Sequence, residues 1–180
     1  PLANFQKNMN LDFSIQPPST ELISDLCEKA RYIRRDVLLT ITNAESGHPG
    51  GPLSMADYMT ALFFKYLNIK PHKPNWEDRD RFVLSNGHAS ALQYALMAGR
   101  GYFPRAELLT FRATNSRLLG HPSSVMLPGI EISTGSLGQG LSVAQGMAMG
   151  CKLAGKNELT VYCSCGDGEL QEGSIWEAVM

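Results

Sequence analysis

The sequence predicts an α/β domain, a doubly wound and mostly parallel sheet with helices on both faces, and three observations predict it. Two short apolar runs, Arg81–Ser85 and Leu159–Cys165, have the length and composition of strands buried on both faces. Segments with helical spacing precede, separate and follow them. Each run stops at a glycine-bearing polar cluster, Asn86-Gly87-His88 after the first and Gly166-Asp167-Gly168 after the second. In open α/β sheets ligands bind beyond the carboxyl ends of strands, so both clusters fall where a site is expected.

The elements follow in order. Residues 1–18 are polar, end in Pro17-Pro18 and show no periodicity, which reads as an extension or linker before a domain over residues 19–180. From Ser19 the pattern changes. Leu22, Leu26, Ala30, Ile33, Val37 and Ile41 recur at steps of three or four and share one helix face, with Ser19 or Thr20 as the cap. Ser46-Gly47-His48-Pro49-Gly50-Gly51-Pro52 breaks that helix. Leu53–Leu67 resumes helical spacing through Met55, Met59, Leu62, Phe63 and Tyr66, and Pro52 suits a first turn. After the first strand a helix runs to about Gly101. Gly138–Ala154 predicts another, whose Gly140, Ala144 and Ala148 permit close packing.

Only two strands are defensible, whereas a domain of this class has about five or six. Either strands hide in the loops or the sheet continues beyond Met180. The second option is favoured, because Ser174–Met180 reads as a helix cut off after two turns. The chain begins at Pro1 rather than Met, so that end reads as processed, engineered or incomplete.

Composition narrows the function classes. With 180 residues and 43% hydrophobic content the chain has enough apolar material for a core, which argues against disorder. Sixteen basic residues against seventeen acidic ones give no electrostatic footprint for nucleic acid or an anionic membrane, and a small molecule is the default partner. No run of about 18 apolar residues and no basic-then-apolar leader is present, so a cytosolic protein is expected. Cys27, Cys151, Cys163 and Cys165 lack zinc-site spacing and read as reduced core thiols.

Three groups of residues are candidates for chemistry. In Gly166-Asp167-Gly168-Glu169-Leu170-Gln171-Glu172-Gly173, a carboxylate just past a strand can hold Mg²⁺ while Gly168 brings its backbone N–H near a phosphate oxygen. The alternative is a plain Asp-Gly turn. His48, His88 and His121 each follow a glycine at a break between elements, where imidazole can donate to phosphate or substrate oxygens and move protons near neutral pH. Taken singly, each also fits a helix-end or turn histidine; His72 reads as part of a solvated loop. Ser133–Gly140 places glycines at 135, 138 and 140 before a helix, which allows close approach to a flat ligand or a phosphate. A tight helix entry explains it equally well, and its spacing is not that of a dinucleotide-binding turn.

In this order, Ser46–Gly50 (SGHPG), Asp80–His88 (DRFVLSNGH), Gly120–Pro122 (GHP), Thr134–Gly140 (TGSLGQG) and Gly166–Gly173 (GDGELQEG) resemble the transketolase family over about Ser19 to Met180. The forms GSLGQGLS and GDGELQEG look most like the N-terminal subunit of transketolases encoded as two polypeptides. The resemblance implies a thiamine-diphosphate-binding fold, incomplete here at its C-terminal end, with thiamine diphosphate and Mg²⁺ or another divalent cation as cofactors. It implies that Asp167 ligates the metal and that Gly168 and His88 contact the diphosphate. Gly135, Ser136 and Leu137 line the thiazolium and aminopyrimidine, and His48 and His121 act catalytically on the sugar. Glu172 and Glu177 match positions near the dimer interface. The implied reaction moves a two-carbon ketol unit between sugar phosphates, in the pentose phosphate pathway, within a dimeric assembly.

Two departures qualify that inference. The family's second metal ligand, an Asn about 30 residues past its Gly-Asp-Gly turn, lies beyond Met180. The glutamate that activates the aminopyrimidine comes from a separate pyrimidine-binding domain or C-terminal subunit. The 180 residues alone are therefore expected to be inactive. The alternatives are another thiamine-diphosphate enzyme, of the dihydroxyacetone synthase or deoxyxylulose phosphate synthase type, or a non-catalytic truncated fragment.

Overall fold

The computed structural model describes residues 17–180, so all of the expected extension except Pro17 and Pro18 lies outside the described residues. Ser19 caps the first helix, α1 (Thr20–Ala44), its hydroxyl accepting the Leu22 N–H at 3.2 Å. Ala30, Ile33, Val37 and Thr40 are buried, whereas Leu22 and Leu26 are only partly covered. The predicted stripe thus meets the core from Ala30 onward. After the break at Glu45–Pro49, α2 (Gly50–Ala61) runs into one wider π turn, Leu62–Tyr66, and carries Pro52 in its first turn as expected.

Strand β1 (Arg81–Leu84) leads through a 3-10 turn, Gly87–Ala89, into α3 (Ser90–Arg100). A second 3-10 turn, Arg105–Thr110, opens a long irregular stretch to residue 139. Then come α4 (Gly140–Leu153), β2 (Val161–Ser164), a short turn at Glu169–Gln171 and α5 (Gly173–Val179). β1 and β2 pair in parallel, with Arg81 opposite Val161 and Leu84 opposite Ser164. Asp80 fixes the start of both strands: its carboxylate accepts the N–H groups of Asn68 and Thr160, each at 2.9 Å. Helices lie on both faces. Phe82 and Leu84 pack with Ile33, Met59 and Leu92 in the main core, while Val83 points to the opposite face, where α4 covers the strands.

Two expectations need correction. β2 is not buried on both faces; Val161, Tyr162 and Cys163 are only partly covered, because β1 is its one strand partner among the described residues. The four cysteines are free, but they are not core thiols: Cys27 is exposed and the others are half-buried. Cys27 falls on the outer side of α1, and Cys163 sits on the open strand. Among the described residues no helix is long and apolar enough to cross a membrane.

The stretch over residues 111–139 is anchored by charge. Arg79 Nη2 donates to both Glu131 oxygens at 2.8 and 2.9 Å, and Arg81 Nε lies 3.6 Å from the same carboxylate. Burial is the leading influence on both partners, lowering the Arg79 pKa and raising that of Glu131 despite their attraction. Desolvation therefore offsets the Coulombic gain, and the pair acts chiefly to locate the loop.

Candidate active site

Because β1 and β2 are parallel neighbours, their carboxyl ends release the chain side by side. Past β1 run Ser85, Asn86, Gly87 and His88. A Cβ on Gly87 would lie 2.7 Å from the Thr134 carbonyl carbon, so glycine is what lets this exit rest against the loop before α4. Past β2 run Cys165, Gly166, Asp167 and Gly168, the last two exposed. Between the exits lies a cleft of about 400 Å³ lined by Gly51, Asn86, His88, Leu137, Asp167 and Gly168, among others. That volume is in the range of small-molecule sites. The sequence-predicted His88, Leu137, Asp167 and Gly168 thus meet in one place.

The three histidines also converge, from three separate elements. The His48 ring lies edge-on to His88 with centroids 5.4 Å apart, and 6.4 Å from His121. His48 stands in the break between α1 and α2, His88 on the 3-10 turn and His121 on the long loop. α3 holds that loop: Tyr94 Oη donates to the carbonyls of Leu119 at 3.0 Å and His121 at 3.4 Å, and Ser90 Oγ donates to that of Gly120 at 2.8 Å. Gly135 rests against His121, where a Cβ would be 3.2 Å from Cδ2. The neighbouring protein shields the His121 ring, and Arg112, His48 and His88 add positive charge; together these hold its pKa below the usual histidine value. His72 is exposed in a loop, as read from its context.

Ser136, Glu172 and Glu177 are exposed and do not line the cleft. Three residues in or near the site escaped the sequence reading: Asn86 and Glu169, which line the cleft, and Arg112 beside the histidine loops. Arg112 has a left-handed backbone, φ 60°, and donates to Ser46 Oγ at 2.9 Å. Its guanidinium occupies the space that a Gly120 Cβ would need, which ties the His48 and His121 loops together. Asn86 is buried in the cleft wall, with Nδ2 3.2 Å from Met55 Sδ and Oδ1 without a partner. Glu169 is 2% exposed, although the sequence reading of the Gly166–Gly173 turn gave it no role. Nothing local in the sequence marks any of the three, since each role depends on a distant loop. Among the described residues no three His, Cys, Asp or Glu side chains are placed to hold a metal together, and of the two acidic residues that line the cleft, Asp167 and Glu169, only Asp167 is exposed.

A family model described as "Transketolase, thiamine diphosphate binding domain" matches residues 26–180. The transketolase of Sinorhizobium medicae (strain WSM419) is 41% identical over 179 residues, covering 95% of this chain and 25% of that protein. The 6-deoxy-6-sulfo-D-fructose transketolase subunit SqwG of Clostridium sp. (strain MSTE9) is 43% identical over 156 residues, covering 87% of this chain and 56% of that subunit. A solved transketolase from Leishmania mexicana superposes with a TM-score of 0.78 at 39% identity, over 86% of this chain and 24% of that one. The chain therefore spans about a quarter of the length of two of these relatives and just over half of the third. The matched residues run through the histidine loops, the glycine loop before α4 and the Gly166–Gly173 turn, and by that match this chain belongs to the transketolase family, within its thiamine diphosphate binding domain.

Proposed function

We propose that this chain forms the diphosphate-binding part of an enzyme that transfers a two-carbon ketol unit between sugar phosphates, with thiamine diphosphate and Mg²⁺. One observation carries the reading: His88, Asp167, Gly168 and Leu137 line a single cleft at the carboxyl ends of parallel strands, and His48 stands between His88 and His121 as a neighbour of both. The residues fit such a cofactor. A Cβ on Gly168 would meet nothing within 4 Å, so its backbone is open to a bulky anion, and the unpaired Asn86 Oδ1 gives the wall a polar atom that a ligand would satisfy.

When bound, thiamine diphosphate supplies an electron sink for breaking the carbon–carbon bond beside a ketose carbonyl. The protein's own groups do the rest. Asp167 offers carboxylate oxygen, the ligand type that Mg²⁺ prefers, and the remaining positions fall to phosphate, water and groups outside these residues. His88 donates an N–H to a phosphate oxygen. His121, kept largely neutral by its surroundings, accepts or returns a proton at an imidazole nitrogen when a sugar hydroxyl ionises, and His48 shares that hydroxyl face. Arg112 adds positive charge beside them, which favours an anionic sugar. The activating glutamate, the second metal ligand and a dimeric partner would be supplied by groups other than the described residues; the Clostridium relative is itself named as a subunit.

The test is an assay of the complete enzyme with xylulose 5-phosphate and ribose 5-phosphate. Ketol transfer that requires thiamine diphosphate and Mg²⁺ is expected. Turnover of pyruvate with no transfer between the sugars rejects the proposal.

A further inference from the structure

We propose that Glu169 is a positioning residue that sets the shape of the cleft by holding its two glycine loops to the end of β1. This rests on reading the cleft as the thiamine diphosphate site. The carboxylate is buried, and each oxygen is engaged by a loop donor. Oε1 accepts the Gly138 N–H at 2.8 Å and the Ser85 hydroxyl; Oε2 accepts the Gly166 N–H at 2.9 Å. Ser85, itself fully buried, accepts the Gly140 N–H at 3.1 Å, so its own hydrogen is free to point at Glu169. Three donors facing two oxygens is the pattern that a carboxylate satisfies and an amide does not, because an amide turns a donor toward one of them.

The location of those bonds gives them a purpose. Gly138 is the neighbour of Leu137 and Gly166 is the neighbour of Asp167, and these two residues line the same cleft. Each is one peptide unit from an N–H that Glu169 holds. Ser85 fastens the same carboxylate to the exit of β1, two residues after which comes Gly87, then His88. A single buried side chain therefore fixes the spacing between the proposed metal ligand, the hydrophobic wall and the diphosphate-contacting histidine. The main apolar cluster draws on α1, α2, α3, β1 and residues 103–130 of the long loop, and none of its buried members lies in the segments that Glu169 joins, residues 137–140 and 165–168.

The experiment uses the complete enzyme and measures the thiamine diphosphate dissociation constant by calorimetry with Mg²⁺ present. Sugar KM at saturating cofactor is measured alongside it. Glu169→Gln orphans at least one buried donor, so cofactor binding weakens on the order of ten- to a hundred-fold while sugar KM at saturating cofactor stays within about two-fold. Ser85→Ala loses its bond to Glu169 and its acceptance of the Gly140 N–H, leaves the two backbone donors on Glu169 in place, and weakens binding by about three- to ten-fold. A folded Glu169→Gln enzyme with wild-type cofactor affinity overturns the inference. So does an equal rise in cofactor dissociation constant and sugar KM, which signals general loosening. If Glu169→Gln does not fold, wild-type affinity in Ser85→Ala overturns it instead. A wild-type enzyme that binds no thiamine diphosphate removes the reading of the cleft itself, an outcome distinct from a defect confined to the variants.

Discussion

α3 follows β1 and α4 precedes β2, yet the two helices live in opposite surroundings. In α3 every residue from Ser90 to Ala98 is buried. In α4 only Gly140 and Ala144 are, while Met149 is 59% and Leu153 88% exposed. The difference does not lie in how apolar they are, since α4 carries Leu141, Val143, Met147 and Met149 and just one charged residue, Lys152. It lies in what surrounds them. α3 is enclosed by α1, α2, the sheet and the long loop, and two of its polar side chains, Ser90 and Tyr94, donate to loop carbonyls, while Gln93, its Oε1 unpaired, borders a cavity of about 20 Å³ beside Arg79 and Glu131. α4 has the sheet on one side and solvent on the other.

The largest expected effect separates the helices by stability. Leu92→Ala removes a side chain that is fully buried among α1, α2 and β1, and a cavity there costs about 3 kcal/mol in a urea melt of this chain. A loss below about 1 kcal/mol would mean that α3 is less firmly enclosed than its burial states.

This contrast also shows how much was legible beforehand. Helix existence was written in the spacing of Leu22 to Val37 and in the breaks at Ser46–Pro52 and Asn86–His88. β1 was found to within a residue, because Phe82, Val83 and Leu84 form an apolar run flanked by polar residues. β2 was read as longer and more buried than it is, since Val161-Tyr162-Cys163 looks the same in sequence whether or not another strand lies beside it. His48, His88, Asp167 and Gly168 announced themselves by glycine-flanked context. Glu169, Asn86 and Arg112 did not. Their roles come from contacts that bridge roughly thirty to eighty residues of sequence, which no local pattern records.

A smaller effect tests the loop that α3 grips. Tyr94 and Ser90 hold the chain around His121, and in that position shielding, Arg112, His48 and His88 depress the imidazole pKa. In the unfolded chain it returns to about 6.5. As pH falls, the unfolded state takes up the proton first. The stability linked to His121 is therefore fully present above about pH 6.5 and is lost as pH falls through the lower folded value. Wild-type protein should lose more melting temperature between about pH 7.5 and about pH 5.5 than His121→Gln does. Equal losses would show that the depression is absent and that α3 does not hold the ring beside Arg112, His48 and His88. The effect is modest because the residue is exposed and water screens its neighbours.

The smallest effect belongs to α4. Met149→Ala in this chain removes a side chain that already meets water and replaces it with the best helix former, so its stability changes by less than about 0.5 kcal/mol. The same substitution in the complete enzyme is the sharper measurement. An apolar, small-residue helix that packs on a sheet with one side and leaves Met149 and Leu153 bare with the other has the composition of a buried helix. If the rest of the enzyme covers that side, Met149→Ala there should cost about 2 kcal/mol or more, approaching the behaviour of Leu92. Equal and negligible effects in both settings would mean that α4 remains a surface helix in the assembly. The contrast with α3 would then be a permanent property of the domain and not a consequence of what its surface is packed against.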